Sequence, residues 1–413
     1  MKKKIIISSG NHNYHMIFTA SEIDKRKKLK LLLCGPYPTR LFIFFFKKFK
    51  FLNPVNKIFN RSDKININRV RPIWISEIIE KLKNYFSSYL FNSIINKIEF
   101  LSFELFQNSS LKVLKNINLN NVKIFHFRSG YGGICIDYIK NKKIITLCDH
   151  AIVHPKIIDY LVLNKGKFPT KINNLHLSNF WKLVNQDLNK SDYFLVNSDF
   201  VKKTFIKMKI KSNKIFVIPQ GIENKFLQFI LKKKIIKRGK LKILFSGSLS
   251  TRKGIFDLQE SLKYLKNCDL EIHLAGELKN QIKPKLDKLL NNKKVIYHGI
   301  LSKKRLALLM LNSQIFVFPS YAEGSARVIF EAMACGCVII TTENSGSIVK
   351  NRINGTIIKP GEPNQIANAI KYYKKNMSLI SNISTRNKYL IKNKYNQKIY
   401  GEKLFKIYNK FNG

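Results

Sequence analysis

The chain has 413 residues, 45% of them hydrophobic and 12% aromatic. That is too long for one ordinary domain and supplies apolar material for two cores, and it excludes wholesale disorder, collagen-like repeats and coiled coil. With 75 Lys and Arg against 25 Asp and Glu, the formal charge of +50 either marks a polyanionic partner (nucleic acid, an anionic membrane or a phosphorylated substrate) or reflects a chain rich in Lys, Asn and Ile whose lysines are solvated surface.

The basic start, Met1 to Lys4, leads into Ile5-Ile6-Ile7, which stops at Ser8-Ser9-Gly10 and is expected to be a first strand rather than a signal sequence. Further apolar runs of strand length occupy 29–34, 122–127, 143–148, 193–196 and 215–218, mostly followed by Gly, Pro, Ser, Asn or Asp. Their continuous hydrophobicity predicts parallel strands covered on both faces. The Lys-rich stretch 223–240 lacks a strand signal, and the rhythm restarts at 241–246. From there the pattern predicts strands at 241–246, 270–275, 295–298, 315–318 and 338–341, alternating with helices near 255–266, 281–291, 303–311 and 325–334. Strict alternation predicts an α/β architecture of two Rossmann-like, doubly wound parallel-sheet domains facing a cleft. The expected division is 1–222, 223–385 and a helical tail, 386–413, packing back towards the first domain.

Six cysteines at 34, 135, 148, 268, 335 and 337 lack paired C-x2-C spacing and are too few for a disulfide scaffold of this size, which suits a reducing cytoplasm. No run reaches the ~18 apolar residues of a membrane-spanning helix.

Two segments carry chemistry. In Phe245-Ser246-Gly247-Ser248-Leu249-Ser250-Thr251-Arg252-Lys253-Gly254, a glycine follows a strand and precedes a helix, an arrangement that brings backbone N–H groups and two cations onto a phosphate or is simply a turn. The G-x4-G-K-[ST] pattern of a P-loop is absent. In the segment from Phe318 to Gly336, Glu323 precedes a helix and Glu331 lies inside it. The spacing predicts two carboxylates on nearly the same side, roughly two turns apart, with Glu323 beside the N–H donors of the helix start. Glu331, among Val328, Ile329, Phe330, Ala332 and Met333, needs a ligand hydroxyl or a cation to satisfy it, unless it is a solvated helix residue.

The segment from Glu323 to Glu331, set in Pro-Ser-x-x-Glu-Gly and Glu-Ala-Met-Ala-Cys-Gly, resembles the E-x7-E motif of the retaining family-four glycosyltransferases of GT-B fold (glycosyl transferases group 1). The donor loop at 245–254, the stretch Ser191 to Ser198, Val217 to Ile222 and Asn354 to Pro360 agree in order and spacing. The likeness is specific over 200–413 and loose before it.

The resemblance implies that Glu323 holds hydroxyls of a donor sugar and Glu331 a nucleotide ribose. Gly247 and Ser248 belong to the donor loop, Gly324, Ser325 and Ala326 present backbone groups to the sugar or diphosphate, and Lys253 neutralises the leaving diphosphate. Where the family usually has Arg after the loop glycine, this chain has Ser248, so Arg252 is the expected substitute. The Gly-Gly pair usual after the first strand is also missing, Gly10 being followed by Asn11 and His12. No Asp-x-Asp occurs, which favours these cations over a divalent metal, and no metal or cofactor is expected.

On the N-terminal side, Asp149, His150 and His154 follow the run 143–148, at a strand end that points into the cleft of an open α/β sheet. They are the candidates for orienting sugar or acceptor. His126, Arg128 and Ser129 form a second cluster, and Gly10 and His12 complete the acceptor side. From Arg40 to Leu52, aromatic and aliphatic residues interleave with lysines, as suits the headgroup boundary of an anionic membrane, with core packing of the aromatics as the competing reading.

The resemblance, together with the basic aromatic segment, implies transfer of a sugar from a nucleoside-diphosphate sugar to a cell-surface glycan or lipid-linked acceptor, with retention and without a metal, by a cytoplasmic protein peripheral on the inner face of the plasma membrane. A nucleotide-sugar epimerase of the same fold is the rival, since fold alone does not determine the reaction. A nucleic-acid-binding protein would explain the charge, yet no helix-turn-helix, zinc-finger, cold-shock or ribonucleoprotein signature occurs. Donor base, sugar and acceptor identity are not legible.

Overall fold

The computed structural model describes residues 3–11, 15–49, 56, 58–59, 61, 65–86, 91–169, 177, 179–232 and 239–411. Among them the strands form two wholly parallel sheets. The first contains β1 (Lys4–Ser8), β2 (Leu29–Cys34), β3 (Val70–Pro72), β4 (Val122–Arg128), β5 (Ile145–His150), β6 (Tyr193–Val196) and β7 (Ile215–Val217), in the order β3-β2-β1-β4-β5-β6-β7. The second contains β8 (Leu241–Ser246), β9 (Leu270–Ala275), β10 (Val295–Tyr297), β11 (Ile315–Phe318), β12 (Val338–Thr342) and β13 (Gly355–Ile358), in the order β10-β9-β8-β11-β12-β13. In each sheet the winding reverses beside the first strand, between β1 and β4 and between β8 and β11. Such a reversal leaves a crevice at the carboxyl ends of the strands.

The apolar runs are continuous because helices cover both faces. On one face of the first sheet, Ile5 and Ile7 pack in a core with Met16, Ala20, Leu404 and Tyr408, while Ile6 on the other face joins Phe106, Phe125 and Ile136. The second core gathers Ile243, Phe245, Phe316, Ile339 and Ile370.

Several boundaries differ from the sequence pattern for identifiable reasons. Strands β3 and β13 are edge strands, and Val70-Arg71-Pro72 is too short and polar to register as an apolar run; its proline sits where one side of the ladder is open. The expected helix at 281–291 is a 3-10 turn, Lys283–Leu286, followed by one α-turn, Asp287–Leu290, because Pro284 cannot sit inside an α-helix. The helix at 325–334 starts only at Arg327, and β5 runs on to His150 rather than ending at 148. The Lys-rich stretch after 223 contains the helix Asn224–Leu231.

The chain passes between the sheets twice at one place. Ile222 N–H donates to Tyr395 O at 2.9 Å, and a side chain at Gly221 would meet Asn396 O at 2.6 Å. Helix Met377–Lys394 packs on the second core through Ile380, Ile383 and Ile391. Helix Gln397–Lys410 packs on the first through Tyr400, Leu404, Ile407 and Tyr408. The expected tail 386–413 is therefore divided at 395–396, and only its second part returns to the first sheet. Among the described residues no helix is long and apolar enough to cross a membrane.

Candidate functional site

The crevice of the second sheet is built by the loops after β8 and β11. Gly254 has φ +72, and a Cβ there would lie 2.1 Å from Pro319 O, so only glycine lets the loops touch. The carbonyl of Arg252 accepts from Tyr321 N at 2.9 Å and from Ser320 Oγ at 2.8 Å, which locks the loops together. As a result, Lys253 Nζ (2.5 Å), Arg252 Nη1 (2.6 Å) and Ser320 Oγ (3.2 Å) all converge on Glu323 Oε1. Arg252 Nη1 also donates to Ala322 O at 3.0 Å. Lys253 Nζ sits 5.1 Å from the centre of the Phe318 ring. Burial pushes the Lys253 ammonium below its ordinary range, and Glu323 opposes the shift.

The geometry corrects one expectation about the carboxylates. With the helix beginning at Arg327, Glu323 stands in the loop ahead of it, its N–H given to Asn344 O at 3.0 Å. It and Glu331 do not share a helix face, and what satisfies Glu323 is the cation pair rather than helix amides. The N-cap residue, Ala326, has no side-chain cap to offer; its own N–H donates to Ser345 O at 3.1 Å and Ile329 N–H donates to Ala326 O at 2.9 Å, so Arg327 and Val328 carry the uncapped amides of the first turn. Ser325 Oγ is buried without a partner in the same loop. Glu331 lies within the helix; burial raises its carboxyl, against the opposing charges of Arg327 and Lys303. Gly247 (φ +147) leads from β8 into the loop 247–254, and Ser248 Oγ lies 3.4 Å from Ser250 Oγ. Arg252, the expected substitute cation, is in the crevice but engaged with Glu323.

On the N-terminal side the structure moves most of the expected residues off the cleft surface. Asp149 and His150 lie inside β5, both buried. Asp149 Oδ2 is 2.9 Å from His15 Nε2 and 3.4 Å from His126 Nε2. Burial alone would raise this carboxyl, but the two histidines outweigh it and hold it well below the usual carboxylate range. His126 Nδ1 is 2.7 Å from Tyr408 Oη, and burial lowers its ring. His150 contacts Ser129 Oγ (2.8 Å) and Val153 O (3.3 Å), and burial lowers it to about 4. His154 caps helix Pro155–Leu163 by accepting from Lys156 N at 3.3 Å and is lowered by burial to about 3. These groups are occupied with protein partners because strand register, not the position of an apolar run, decides which side chains face inward. Gly10 (φ +71) stays at the crevice, where a Cβ would strike the Tyr131 ring at 2.6 Å. Arg128 Nη1 donates to Asn11 O at 3.3 Å, and its guanidinium lies 5.1 Å from the centre of the Tyr131 ring. His12 lies outside the described residues.

Sequence reasoning missed four residues where the two crossings meet the cleft. His15, Gln220, Glu223 and Arg327 line a cavity of about 50 Å³ together with Tyr400. His15 Nδ1 accepts from Gln220 Nε2 at 2.9 Å, and Glu223 Oε1 pairs with Arg327 Nη2 at 2.8 Å and with Lys303 Nζ at 3.3 Å. Arg327 sits inside the E-x7-E segment, but nothing in the spacing identifies it. Asp187 was missed too: it accepts from the amides of Gly130, Gly132 and Gly133 at 2.7, 2.9 and 2.7 Å and so shapes the loop after β4. Burial raises its carboxyl to about 6 against those three donors. Among the described residues no three His, Cys, Asp or Glu side chains gather as metal ligands would.

Residues 228–397 match the family described as Glycosyl transferases group 1. The capsular polysaccharide biosynthesis glycosyltransferase CapM of Staphylococcus aureus is 27% identical over 239 residues, covering 54% of this chain and 62% of that protein. The N,N'-diacetylbacillosaminyl-diphospho-undecaprenol alpha-1,3-N-acetylgalactosaminyltransferase of Campylobacter jejuni subsp. jejuni serotype O:2 is 23% identical over 317 residues, 72% of this chain and 79% of that one. Among solved structures, Anabaena Alr3699/HepE in complex with UDP and glucose superposes with a TM-score of 0.61 at 13% identity, over 98% of this chain and 100% of that one, a likeness of fold.

Proposed function

We propose that this chain, a glycosyltransferase of group 1 with the GT-B fold, moves a glycosyl group from a nucleoside-diphosphate sugar to a cell-surface glycan or lipid-linked acceptor, with retention and without a metal ion or cofactor. The observation that carries the reading is the convergence of Lys253 and Arg252 on Glu323 at the β8/β11 crevice, beside an uncapped helix start. Negative charge builds on the departing phosphate, and fixed cations with helix amides aimed at it lower the barrier. In this reading Lys253 and Arg252 hold the diphosphate, Gly247 and Ser248 let it approach the backbone, and Gly324 and Ser325 offer amides, that of Ala326 being held by Ser345 O at 3.1 Å. Glu323 takes sugar hydroxyls, and Glu331 the ribose. Asp149 and His150 position the strand end rather than touch the substrate, and Gly10 and Arg128 remain as acceptor-side groups. The relatives, one of capsular polysaccharide biosynthesis and one named for transfer to a diphospho-undecaprenol conjugate, support the acceptor class.

The second part of the proposal is attachment to the inner face of the plasma membrane. Helix Arg40–Phe46 buries Phe42 against Trp74 and leaves Leu41, Phe44 and Phe45 71%, 81% and 62% exposed, with Lys47 and Lys48 following. An apolar face next to lysines suits an anionic bilayer surface. Lys50 to Leu52, the end of the expected anchor, lie outside the described residues.

The test is release of nucleoside diphosphate from a panel of nucleotide sugars, with lipid-linked acceptors and excess chelator, and the anomeric configuration of the product read by NMR. Acceptor-dependent release that survives chelation is the expected result. Turnover of the nucleotide sugar to an epimer with no acceptor present would replace the reading.

A further inference from the structure

The stretch Ser191 to Ser198 matched a family pattern without an evident task, and the fold places its last residue against the donor loop. Ser198 lies just beyond β6 in the first domain and is buried. Its Oγ donates to Gly324 O at 2.5 Å and accepts from Val201 N at 3.2 Å, where it caps helix Asp199–Lys207. Gly324 is pressed so closely against this domain that a Cβ would lie 1.8 Å from Ala151 O and 2.8 Å from Asn197 Nδ2. From the other side, a Cβ on Gly346 (φ +61) would lie 1.8 Å from Gly324 O and 2.7 Å from Ser198 Oγ. Two residues before Gly324, Ala322 is inserted among Val153, Ile157, Leu161 and Phe200 of the first domain. The loop that carries Glu323, held on its own side by Arg252 O, Asn344 O and Ser345 O, is therefore also held by contacts from across the cleft, with the Ser198 hydrogen bond at their centre.

We infer that Ser198 is a positioning residue for the transfer reaction: by holding the Gly324 carbonyl from the opposite domain, it fixes the aim of Glu323 and of the amides at 324 and 325, so that the sugar half of the donor site is complete only when the two domains touch. The inference rests on the donor-loop reading above. The carbonyl of Gly324 is tied to Ser198, which points the N–H of Ser325 the opposite way across the trans peptide. Lys253 and Glu331, which would hold the nucleoside diphosphate, belong to the second domain alone and do not depend on this bond.

Three substitutions separate aiming from capping. Ser198→Asp keeps an oxygen for Val201 N–H but cannot donate to Gly324 and sets a carboxylate against that carbonyl. Ser198→Thr keeps both bonds, and Ser198→Ala loses both. The Asp variant is expected to melt with the wild type, to lose about tenfold or more in kcat, and to bind free nucleoside diphosphate within about twofold of normal. Its amides at 322–326 should exchange hydrogen faster, and Thr should restore turnover. Unchanged turnover and exchange in the Asp variant would overturn the inference, as would a parallel loss of nucleoside-diphosphate affinity. If the Asp variant does not fold, the Ala variant read by exchange at 322–326 decides between the same outcomes. Absence of nucleotide-sugar turnover in the wild type would instead sink the proposed function, and the exchange measurement would still settle whether Ser198 holds the loop.

Discussion

Lys253 Nζ lies 2.5 Å from Glu323 Oε1, so the cation assigned to the diphosphate and the carboxylate assigned to the sugar neutralise each other across the β8/β11 crevice. In the proposed reading, a diphosphate entering here would take over the ammonium and the Arg252 guanidinium, and in doing so would free Glu323 to accept from a sugar hydroxyl. Burial lowers the Lys253 ammonium below its ordinary range, and the pairing with Glu323 works against that shift.

Replacing Lys253 by Ala should therefore act mainly on the chemical step. The diphosphate gains charge as the glycosyl bond breaks, so kcat is expected to fall roughly 100-fold and donor affinity by less than about tenfold. Steady-state kinetics read the split directly. Equal losses in kcat/KM and binding, with kcat unchanged, would assign Lys253 a uniform binding role.

Glu331→Gln should weaken donor binding about tenfold, the loss expected when a charged hydrogen-bond acceptor is removed. The same substitution should leave the melting temperature unchanged or higher, because it takes away a carboxylate that burial disfavours. Calorimetric titration and a thermal melt check the two halves. Undiminished donor affinity would remove Glu331 from the nucleotide site.

Phenylalanines of one short helix should behave in opposite ways. Phe44 and Phe45 are exposed, so replacing both with Ser should release the protein from liposomes containing anionic lipid while soluble donor binding persists. Phe42 is buried and stacked 4.9 Å from Phe46, so Phe42→Ala should cost roughly 3 kcal/mol of stability through a cavity. Salt screens charge but not apolar contact, and lipid binding that moderate salt alone abolishes would leave no role for Phe44 and Phe45.

Acid should destabilise the fold through His150 and His154. Burial holds their rings at about 4 and about 3, against an ordinary 6.5. The unfolded chain therefore binds more protons below pH 6.5, and stability falls as the pH drops from about 6.5 towards 4. Asp187, raised to about 6, works in the opposite sense by losing stability as the pH rises from about 4 to 6. His154→Asn, which keeps a helix cap, should flatten the acid slope in melts recorded against pH. An unchanged slope would show that His154 is not the group taking up the proton.

The two sheets were legible because parallel strands covered on both faces must be continuously apolar, and 29–34, 193–196, 241–246, 270–275 and 315–318 coincide with strands at both ends. The loops around Lys253 and Glu323 were legible because a glycine and two cations between a strand and a helix, and a glutamate ahead of an apolar helix, lie close together along the chain. The sequence could not show that Arg252, Lys253 and Ser320 share one carboxylate oxygen, since that depends on β8 and β11 being neighbours in the sheet. Nor could it show that Asp149 and His150 turn inward, because β5 runs two residues past the apolar run, or that His126 on the neighbouring β4 meets Asp149, which depends on the pairing of the two strands. Ser198, Asp187 and Arg327 act on partners far along the chain. Local periodicity records which segments are apolar, whereas only tertiary packing determines which polar groups meet.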